Sequence, residues 1–372
     1  MSQPSIVLIC GNGDTLYRFR LELIKRFIDK GYTVHAFAPE IPADFLLELQ
    51  DIGVQYHQIS FKRKTVNIFD TIFSIFDIIA KLKRIQPNIV FSYTHKAVVV
   101  GSICSFLAGR ITSFSLITGT GHIFDNNSVI EKIKRFLGLT GFKLALAFNE
   151  KVFFQNPDDL NLFCDLRVVA RAKTRLVNGS GVDLEKFSLH ELPEHPIFLC
   201  MSRLIKSKGL VEYAEAAKIV KTLFPKSRFL LHGFSDEHSD SINEQEIANT
   251  WEEKYGVEYL GFSNDPVTDI SKCSIYVLLS YNEGTPRSVL EAMSLGRPIL
   301  TTDVPGCRET VISGINGLLV PKQDSKAASQ AMIKLLDASL RSSMAKASRD
   351  LCVEKFDVHA VNESLISEMN LL

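Results

Sequence analysis

The sequence has no net charge, no paired cysteines and no apolar run long enough for a membrane helix. Its 42 Lys and Arg balance 42 Asp and Glu, and 46% of the 372 residues are hydrophobic, as in an ordinary globular protein. The seven cysteines form no CxxC pair, which argues against a disulfide framework or a zinc site and predicts reduced core thiols of a cytosolic protein. The longest apolar stretch, residues 97–108, is too short to span a bilayer. The N-terminus lacks the basic segment and apolar length of a signal peptide.

The charges are unevenly distributed along the chain. Residues 1–190 carry 23 Lys and Arg against 17 Asp and Glu, whereas residues 191–372 carry 19 against 25. A neutral protein with a basic half is expected to bring that half to an anionic partner. There is no basic run interleaved with aromatic residues and no zinc-finger spacing, so nucleic acid is not the favoured partner.

Both halves alternate short apolar runs with segments of helical periodicity, the pattern of parallel sheets covered by helices. We therefore predict an α/β fold with two Rossmann-like, doubly wound domains facing across a cleft, because such sheets bind ligands at the carboxyl ends of their strands. The expected domains are residues 1–190 and 191–355, with a polar, proline-bearing link at 189–196. Residues 356–372 are expected to form an amphipathic helix that could pack back on the N-terminal domain or on the C-terminal one.

The apolar runs give the positions of the predicted elements. In the first half, strands are expected at 6–10, 33–38, 55–59, 89–92, 114–117, 151–154 and 174–177, with helices that include 19–30, 67–84 and 130–148. In the second half, strands are expected at 197–201, 228–231, 257–259, 275–278, 299–301 and 317–320.

The segment "GNGDTLYRFR" directly follows the first predicted strand. Gly13 lets a ligand approach the backbone closely, and Arg18 and Arg20 could face an anion there, although surface arginines are common. Leu16 stands where a dinucleotide-binding fingerprint needs its third glycine, which argues against a Rossmann oxidoreductase.

Two further segments of the first half follow predicted strands. In "FSYTHKAVVVG", His95 and Lys96 lie just past the fourth strand, where the histidine is either a ligand contact or a structural residue. In "SLITGTGHIFD", Thr118 and Gly119 lie in a tight loop after the fifth strand, which suggests close approach by backbone or ligand.

A cationic pair follows the first strand of the second half, in "CMSRLIKSKG". Arg203 and Lys208 lie on a strand-to-helix connection, an arrangement that suits a diphosphate. The alternative is a solvated basic loop.

The stretch "YNEGTPRSVLEA" places two glutamates around a turn that opens a helix. Thr285 is a good N-cap and Pro286 fits the first helical position, so a helix is expected over 286–295, with an anion-binding N-terminus. Glu291 would lie about 7 Å along this helix, near the distance from a diphosphate to ribose hydroxyls. Glu283 would lie on the other side of the turn. The alternative is that Glu291 pairs with Arg287 and Glu283 is a solvated loop residue.

These motifs together resemble a known family. "MSRLIKSKG", "NGSGVDLEKF" and the two glutamates of "EGTPRSVLEA" resemble the motifs of retaining family-four glycosyltransferases of the GT-B fold. "SYTHKA", "ITGTG", "FFQNPDDL" and "PGCRETV" are similar to segments of bacterial enzymes that extend undecaprenyl-diphosphate-linked oligosaccharides, with N-acetylgalactosaminyltransferases as the nearest type.

The resemblance implies a role for each candidate residue. Glu291 would hold the ribose, and Glu283 would contact the donor sugar near the reacting carbon. The diphosphate would be held by Gly284, Thr285, Pro286 and Arg287 at the helix start, together with Arg203 and Lys208. The implied acceptor-binding candidates in the basic half are Gly13, Arg18, Arg20, Lys96, Thr118 and Gly119. No metal and no cofactor is implied, because the cations and the helix dipole neutralise the leaving group.

One departure from the family concerns a histidine that many members carry in the loop after the fifth strand. This sequence has Thr118 and Gly119 there. Both His95, which is placed among the catalytic candidates, and His122 remain open for that role.

The implied function is metal-independent, retaining transfer of a HexNAc such as GalNAc. The donor would be a UDP-sugar and the acceptor an undecaprenyl-diphosphate-linked saccharide, in bacterial surface-glycan (O-antigen, polysaccharide) or glycoprotein-glycan assembly. The alternatives are a GT-B-fold UDP-N-acetylglucosamine 2-epimerase and a non-catalytic nucleotide-sugar-binding protein.

A lipid-linked acceptor also implies a membrane surface as a partner. Residues 61–76 and 130–148 combine apolar residues with cations, among them Lys62–Lys64 and Lys132–Arg135. Such segments can lie in a headgroup layer, although helices that simply cover the sheet would have the same composition. The expected location is cytoplasmic, peripheral on the inner face of the cell membrane.

Overall fold

The structure is a computed structural model that describes residues 3–61, 68–120, 129–235 and 240–371. Within the helices at 68–85 and 129–147, the side chains of residues 68–71 and 129–134 lie outside the description. The chain divides into two compact units. The first unit is Met1–Ser180 with Val361–Leu372, and the second is Gly181–Ala360.

The first unit contains a parallel seven-stranded sheet with the order β3-β2-β1-β4-β5-β6-β7. Its strands are β1 (Ser5–Cys10), β2 (Thr33–Ala38), β3 (Gln55–Gln58), β4 (Ile89–Tyr93), β5 (Thr112–Ile117), β6 (Lys151–Phe154) and β7 (Thr174–Leu176). Its first six helices are α1 (Asp14–Asp29), α2 (Ala43–Asp51), α3 (Ile68–Ile85), α4 (His95–Gly109), α5 (Val129–Ala147) and α6 (Pro157–Asp165).

The second unit contains a parallel six-stranded sheet with the order β10-β9-β8-β11-β12-β13. Its strands are β8 (Ile197–Met201), β9 (Arg228–His232), β10 (Val257–Tyr259), β11 (Ile275–Leu278), β12 (Ile299–Thr302) and β13 (Gly317–Val320). Its helices are α7 (Leu210–Leu223), α8 (Glu244–Tyr255), α9 (Pro266–Ser271), α10 (Arg287–Ser294), α11 (Ser325–Lys334) and α12 (Ala338–Phe356), and the last helix of the chain is α13 (Val358–Glu368).

Each sheet is buried on both faces, which explains why its strands are nearly continuous apolar runs. In the first unit, one core includes side chains of α1 and α2, and two cores on the opposite face are built with α3, α4 and α5. The predicted fold class and all the predicted strand positions are confirmed, with shifts of up to two residues at the strand ends. Six of the seven cysteines are buried and none is in a disulfide.

Helix α1 begins earlier than predicted, which changes the setting of Arg18. The helix was expected from residue 19 but starts at Asp14, where the Asn12 side chain accepts a hydrogen bond from the Asp14 N–H at 3.2 Å. Arg18 therefore lies on a helix rather than in a glycine loop, whereas Arg20 lies on the helix that was predicted for it. Positions two apart point to different sides of a helix, and accordingly Arg18 is exposed while Arg20 is buried.

The predicted link at 189–196 is part of the second unit, which begins ten residues before the predicted boundary at residue 190. Buried arginines hold this segment by its backbone carbonyls. Arg297, which is fully buried, donates to the carbonyls of His190 at 2.6 Å and Glu191 at 3.0 Å. Arg341 donates to the carbonyl of Glu194 at 3.3 Å. An irregular segment needs such partners for its polar backbone groups when it packs against a core.

Helix α13 packs in the first unit. Leu365, Ile366 and Met369 are buried in the core that also contains α1 and α2 side chains. Glu368 accepts hydrogen bonds from Arg175 at 2.6 Å and from Lys151 at 3.3 Å. Among the described helices, none combines the length and apolar composition needed to cross a membrane.

We expect Arg297→Met to destabilise the second unit by about 3 kcal/mol, because the carbonyls that Arg297 serves would stay buried without donors. Arg228→Met is the matched control, since Arg228 is half exposed in its pair with Glu258, and its loss should cost less than about 1 kcal/mol. Urea unfolding gives both values. Limited chymotrypsin digestion should cut the Arg297 variant faster after Phe187 or Leu189, and equal effects of the two substitutions would contradict the role of Arg297.

Two histidines face each other between β2 and β3. The His35 Nδ1 and His57 Nε2 atoms are 3.1 Å apart. Burial, followed by the charges of His35, Arg84 and Lys81, lowers the pKa of His57 from 6.5 to about 4. Protonation of this pair is therefore unfavourable in the folded state.

This pair predicts acid sensitivity. Between pH 6.5 and pH 4 the unfolded chain binds more protons at His57 than the folded one, so stability falls as the pH falls through this window. Because His57 is partly exposed, we expect a loss of about 1 kcal/mol. Thermal unfolding at pH 7.5 and pH 5 should show a smaller drop for His57→Gln than for the wild type. His359→Gln, at an exposed histidine, should leave the drop unchanged, and a wild-type drop in the His57 variant would refute the assignment.

Candidate functional site

In the second unit, one candidate cation is placed by a close backbone contact. After β8, the chain passes Arg203 and forms a short 3-10 helix, Lys206–Lys208. It then turns at Gly209, where φ is +68°. A Cβ atom at this position would lie 2.0 Å from the carbonyl oxygen of Leu279, at the end of β11. Only glycine permits this contact, which brings Lys208 against the connection that follows β11.

The Glu283 carboxylate lies on that connection and pairs with Lys208. Its Oε1 atom accepts hydrogen bonds from the Lys208 Nζ and from the Ser280 Oγ, the latter at 2.8 Å. The side chains of Lys208 and Glu283 are 16% and 15% exposed, so the interpretation of Glu283 as a solvated loop residue is wrong. The adjacent loop fixes its backbone, because the Glu283 N–H donates to the carbonyl of Pro305 at 3.1 Å and Gly306 packs against the Glu283 carbonyl.

The second glutamate, Glu291, is paired within its own helix. The Arg287 Nε donates to the Glu291 Oε1 at 3.0 Å, and the Arg287 Nη1 donates to the carbonyl of Gly181. Helix α10 begins at Arg287 with Pro286 as its N-cap, so the predicted cap at Thr285 is wrong by one residue. The helix start nevertheless lies between Glu283 and Glu291 in the chain, as the motif predicts.

In the first unit, the side chains of Thr94 and His95 link the loops after β1, β4 and β5 by bonding to backbone groups. Thr94 follows β4 with φ +72° and ψ +146°, a region that β-branched residues rarely adopt. Its Oγ1 atom accepts a hydrogen bond from the Gly11 N–H at 3.1 Å. The neighbouring His95 contacts the carbonyl of Gly119 through its Nε2 atom at 2.5 Å. A carbonyl can only accept, so the Nε2 carries the proton.

Burial lowers the pKa of His95, and its place at the start of α4 also disfavours a positive charge. The imidazole is therefore neutral near pH 7, and it holds the loop that contains Thr118 and Gly119. His122 and Gly121 lie outside the described residues.

A buried carboxyl group holds the same loop from its other side. Asp159, in the first turn of α6, is bonded to the Thr120 side chain, and the Asn156 Nδ2 donates to its Oδ2 at 2.9 Å. Burial raises the pKa of Asp159 to about 6. The loop after β5 is thus fixed by α4 on one side and by α6 on the other.

The remaining acceptor-binding candidates have individual settings. A Cβ atom on Gly13 would lie 2.6 Å from Ile41, so packing by itself explains the glycine there. Arg18 lies over the Phe45 ring, Arg20 over the buried Tyr93 ring and Lys96 over the Phe61 ring, at 5.3, 5.1 and 5.3 Å.

Three residues that sequence reasoning missed complete these arrangements. Ser280 and Thr94 are polar residues that lie just past β11 and β4. Their position after predicted strands could have identified them as candidates from the sequence. Asp159 belongs to an Asn-x-x-Asp pattern at a helix start, which usually indicates only a cap. In the described parts of the chain, no three His, Cys, Asp or Glu side chains converge as a metal ion would require.

Comparisons with known proteins show what this chain is similar to. Residues 182–351 match the family "Glycosyl transferases group 1". The chain is 28% identical over 349 residues to the N,N'-diacetylbacillosaminyl-diphospho-undecaprenol alpha-1,3-N-acetylgalactosaminyltransferase of Campylobacter jejuni, covering 90% of each protein. It is 24% identical to the UDP-Gal:alpha-D-GlcNAc-diphosphoundecaprenol alpha-1,3-galactosyltransferase of Escherichia coli, covering 79% of this chain and 78% of that one.

A solved structure extends the similarity to the whole fold. Anabaena Alr3699/HepE in complex with UDP-glucose superposes with a TM-score of 0.78 at 16% identity, covering 99% of this chain and 100% of that one. Residues 182–351 are thus similar to group 1 glycosyl transferases, and the chain is a glycosyltransferase with the GT-B fold.

Proposed function

We propose that this glycosyltransferase transfers a HexNAc, with GalNAc as the first candidate, from a UDP-sugar to an undecaprenyl-diphosphate-linked saccharide in bacterial surface-glycan or glycoprotein-glycan assembly. The observation that carries the proposal is the similarity over 90% of the chain to a transferase named for such a donor sugar and such an acceptor. The arrangement of charged side chains around α10 supports it.

The charges around α10 suit a nucleoside diphosphate. Glu283 is paired with the cation Lys208 and is followed in the chain by the start of α10, and Arg203 precedes Lys208 on the same connection. Such donors stabilise the negative charge that develops on a leaving diphosphate without a metal ion. The helix start, Lys208 and Arg203 are therefore assigned to the diphosphate.

Each glutamate is assigned to contact a different part of the donor. Glu283 is held by Lys208 and Ser280, so its carboxylate is oriented before the sugar arrives. A carboxylate accepts several hydrogen bonds, which suits sugar hydroxyls near the reacting carbon. Glu291, further along α10, is assigned to the ribose.

The proposed reaction retains the anomeric configuration. The acceptor hydroxyl attacks C1 of the donor sugar from the face that the diphosphate leaves, while the C1–O bond to the diphosphate breaks. The leaving phosphate oxygen takes the acceptor proton. His95 is then a positioning residue, because its Nε2–H serves the Gly119 carbonyl and holds the loop assigned to the acceptor.

The test is a panel of UDP-sugars with an undecaprenyl-diphosphate-linked HexNAc. We expect transfer from UDP-GalNAc, an α-linked product and full activity in EDTA. Turnover of a UDP-sugar without acceptor would indicate an epimerase instead, and strict dependence on Mg²⁺ or Mn²⁺ would contradict the assigned means of charge neutralisation. Binding of UDP-sugars without any turnover would indicate a non-catalytic nucleotide-sugar-binding protein.

The two glutamates should separate turnover from binding. Glu283→Gln should lower kcat at least about tenfold and leave UDP affinity nearly intact, since Glu283 is assigned to the sugar. Glu291→Ala should weaken UDP binding, because its bonds to ribose exist in ground and transition states alike. Calorimetry and steady-state kinetics measure both effects, and near-wild-type values in either variant would contradict the assignment.

We also propose that the first unit docks on the membrane that contains the acceptor, through the outer face of its α3–α4–α5 layer. Helix α4 packs against both α3 and α5, and the three helices expose large apolar side chains. Phe73 is 73% exposed and Phe136 is 69% exposed. Among the described side chains of these three helices, the large exposed apolar ones are Ile72, Phe73, Phe76, Leu107, Phe136, Leu137 and Leu144.

Anionic lipid is the expected partner of this apolar face. The layer also exposes the cations Lys83, Arg84 and Lys143, and each cation near anionic lipid contributes about 1 kcal/mol. The basic clusters at Lys62–Lys64 and at Lys132 and Lys134 that the sequence predicts for this role lie outside the described residues or side chains.

Flotation with vesicles that contain phosphatidylglycerol tests the docking face. We expect binding at low salt, and at least about tenfold less binding for the double variant Phe73→Ser and Phe136→Ser, because each buried Phe contributes about 1.5–3 kcal/mol. Leu223→Ser with Phe224→Ser is the matched control, since both residues are exposed apolar positions of the second unit. Equal binding of the two double variants would show that this face is not the docking surface.

A further inference from the structure

We propose that Arg287 is a positioning residue, which fixes the Glu291 carboxylate for the ribose and ties it to the segment where the second unit begins. The inference rests on the proposed function, because it takes Glu291 as the ribose ligand. It gives Arg287 a role different from the diphosphate contact that the resemblance implies for it.

The contacts of Arg287 join two parts of the second unit. Its Nε donates to the Glu291 Oε1 at 3.0 Å, and its Nη1 donates to the carbonyl of Gly181. The side chains of Arg287 and Glu291 are each 16% exposed. Because a guanidinium is planar and its N–H directions are fixed, two bonds from one guanidinium orient both partners. The Glu291 carboxylate is therefore held relative to the Gly181 carbonyl.

The Gly181 carbonyl is itself firmly placed. Gly181 has φ +66°, and a Cβ atom there would lie 2.5 Å from the Cα of Val358. The Val182 N–H donates to the carbonyl of Phe356 at 2.8 Å, and the Val358 N–H donates to the carbonyl of Val182 at 3.0 Å. The segment at which the chain enters the second unit, at Gly181, therefore pairs with the segment at which it leaves, near Val358. Arg287 is bonded to the entering segment.

Helix stability does not account for an arginine at this position. A cation in the first turn opposes the helix dipole, and arginine before glutamate is the poorer order for an i,i+4 pair. The double contact to Glu291 and Gly181 gives a reason for it. A carboxylate has about four lone-pair sites, so Glu291 can accept from Arg287 and also from the two ribose hydroxyls.

Arg287 could instead bind the diphosphate directly, since it begins the helix to which the diphosphate is assigned. The two roles differ in which part of the nucleotide they depend on. A residue that acts through Glu291 matters only when ribose hydroxyls are present, whereas a diphosphate ligand matters for any uridine diphosphate.

Calorimetric affinities for UDP and for 2′,3′-dideoxyuridine diphosphate separate the two roles. We expect Arg287→Met to weaken UDP binding about tenfold and to leave dideoxy-UDP binding unchanged, and Arg287→Lys to have an intermediate effect on UDP. The double variant with Glu291→Gln should bind UDP no more weakly than Glu291→Gln alone, because the two residues act as one unit. Lys208→Met is the matched control, since it should weaken both nucleotides equally.

Gly181→Ala is a second variant that changes no residue of the donor site. Its Cβ atom must displace Val358 or the Gly181 carbonyl, so UDP binding should weaken while dideoxy-UDP binding does not. Thermal unfolding shows whether each variant is folded. If Arg287→Met is not folded, the affinities of Arg287→Lys and Gly181→Ala test the inference instead.

The outcomes distinguish this inference from the proposed function. Equal weakening of UDP and dideoxy-UDP by Arg287→Met would make Arg287 a diphosphate ligand and overturn the inference, while the proposed donor site would stand. UDP affinities like the wild type in the folded variants would also overturn it. Failure of the wild type to bind UDP would overturn both.

Discussion

A partly buried ion pair, Lys208 with Glu283, is the contact on which the arrangement of the second unit's site depends. Removing two charges from water is costly, and the pair is favourable only when its geometry is good and further hydrogen bonds are made. Ser280 supplies one of these bonds. The geometry in turn requires backbone contact on both sides of the pair. Gly209 approaches Leu279 and Gly306 approaches Glu283, with distances that no Cβ atom would allow.

Buried cations have a second use in the same unit, where arginines serve carbonyls rather than carboxylates. Arg297 and Arg341 hold the segment that leads into β8, and Arg349 donates to the carbonyls of Phe187 and Ser294 at 3.1 and 2.6 Å. An irregular segment at a core surface has polar backbone groups with few partners, and one guanidinium can satisfy several of them. The same logic applies at Gly181, where Arg287 links a carbonyl to a carboxylate. In the second unit, cationic side chains thus hold both the Glu283 and Glu291 carboxylates and the carbonyls of irregular segments.

The first unit fixes its loops in a different way. Thr94 and His95 connect the loops after β1, β4 and β5, and Asp159 holds the last of these from α6. A threonine in a strained backbone region persists only where its surroundings hold it there, and such residues concentrate at functional sites. These loops lie at the carboxyl ends of parallel strands, where sheets of this type bind ligands. Thr94, His95 and Asp159 thus hold the loops that contain several of the predicted acceptor-binding residues.

The sequence by itself determined the strands and the chemistry of the donor motif. Strands buried on both faces are continuous apolar runs, so their positions could be read within two residues. The resemblance of the motifs to glycosyltransferases implied which side chains would serve a nucleotide sugar, and those roles stay predictions. Only the tertiary structure decided which side chains meet. Lys208 and Glu283 are far apart in the chain, as are Arg287 and Gly181, and local periodicity contains no information about such pairs. The same reason explains the displaced domain boundary, because the arginines that hold residues 190–194 come from beyond β11. The start of α1 at Asp14 is likewise not recorded in the apolar pattern, and it leaves Arg18 exposed and Arg20 buried on the same helix.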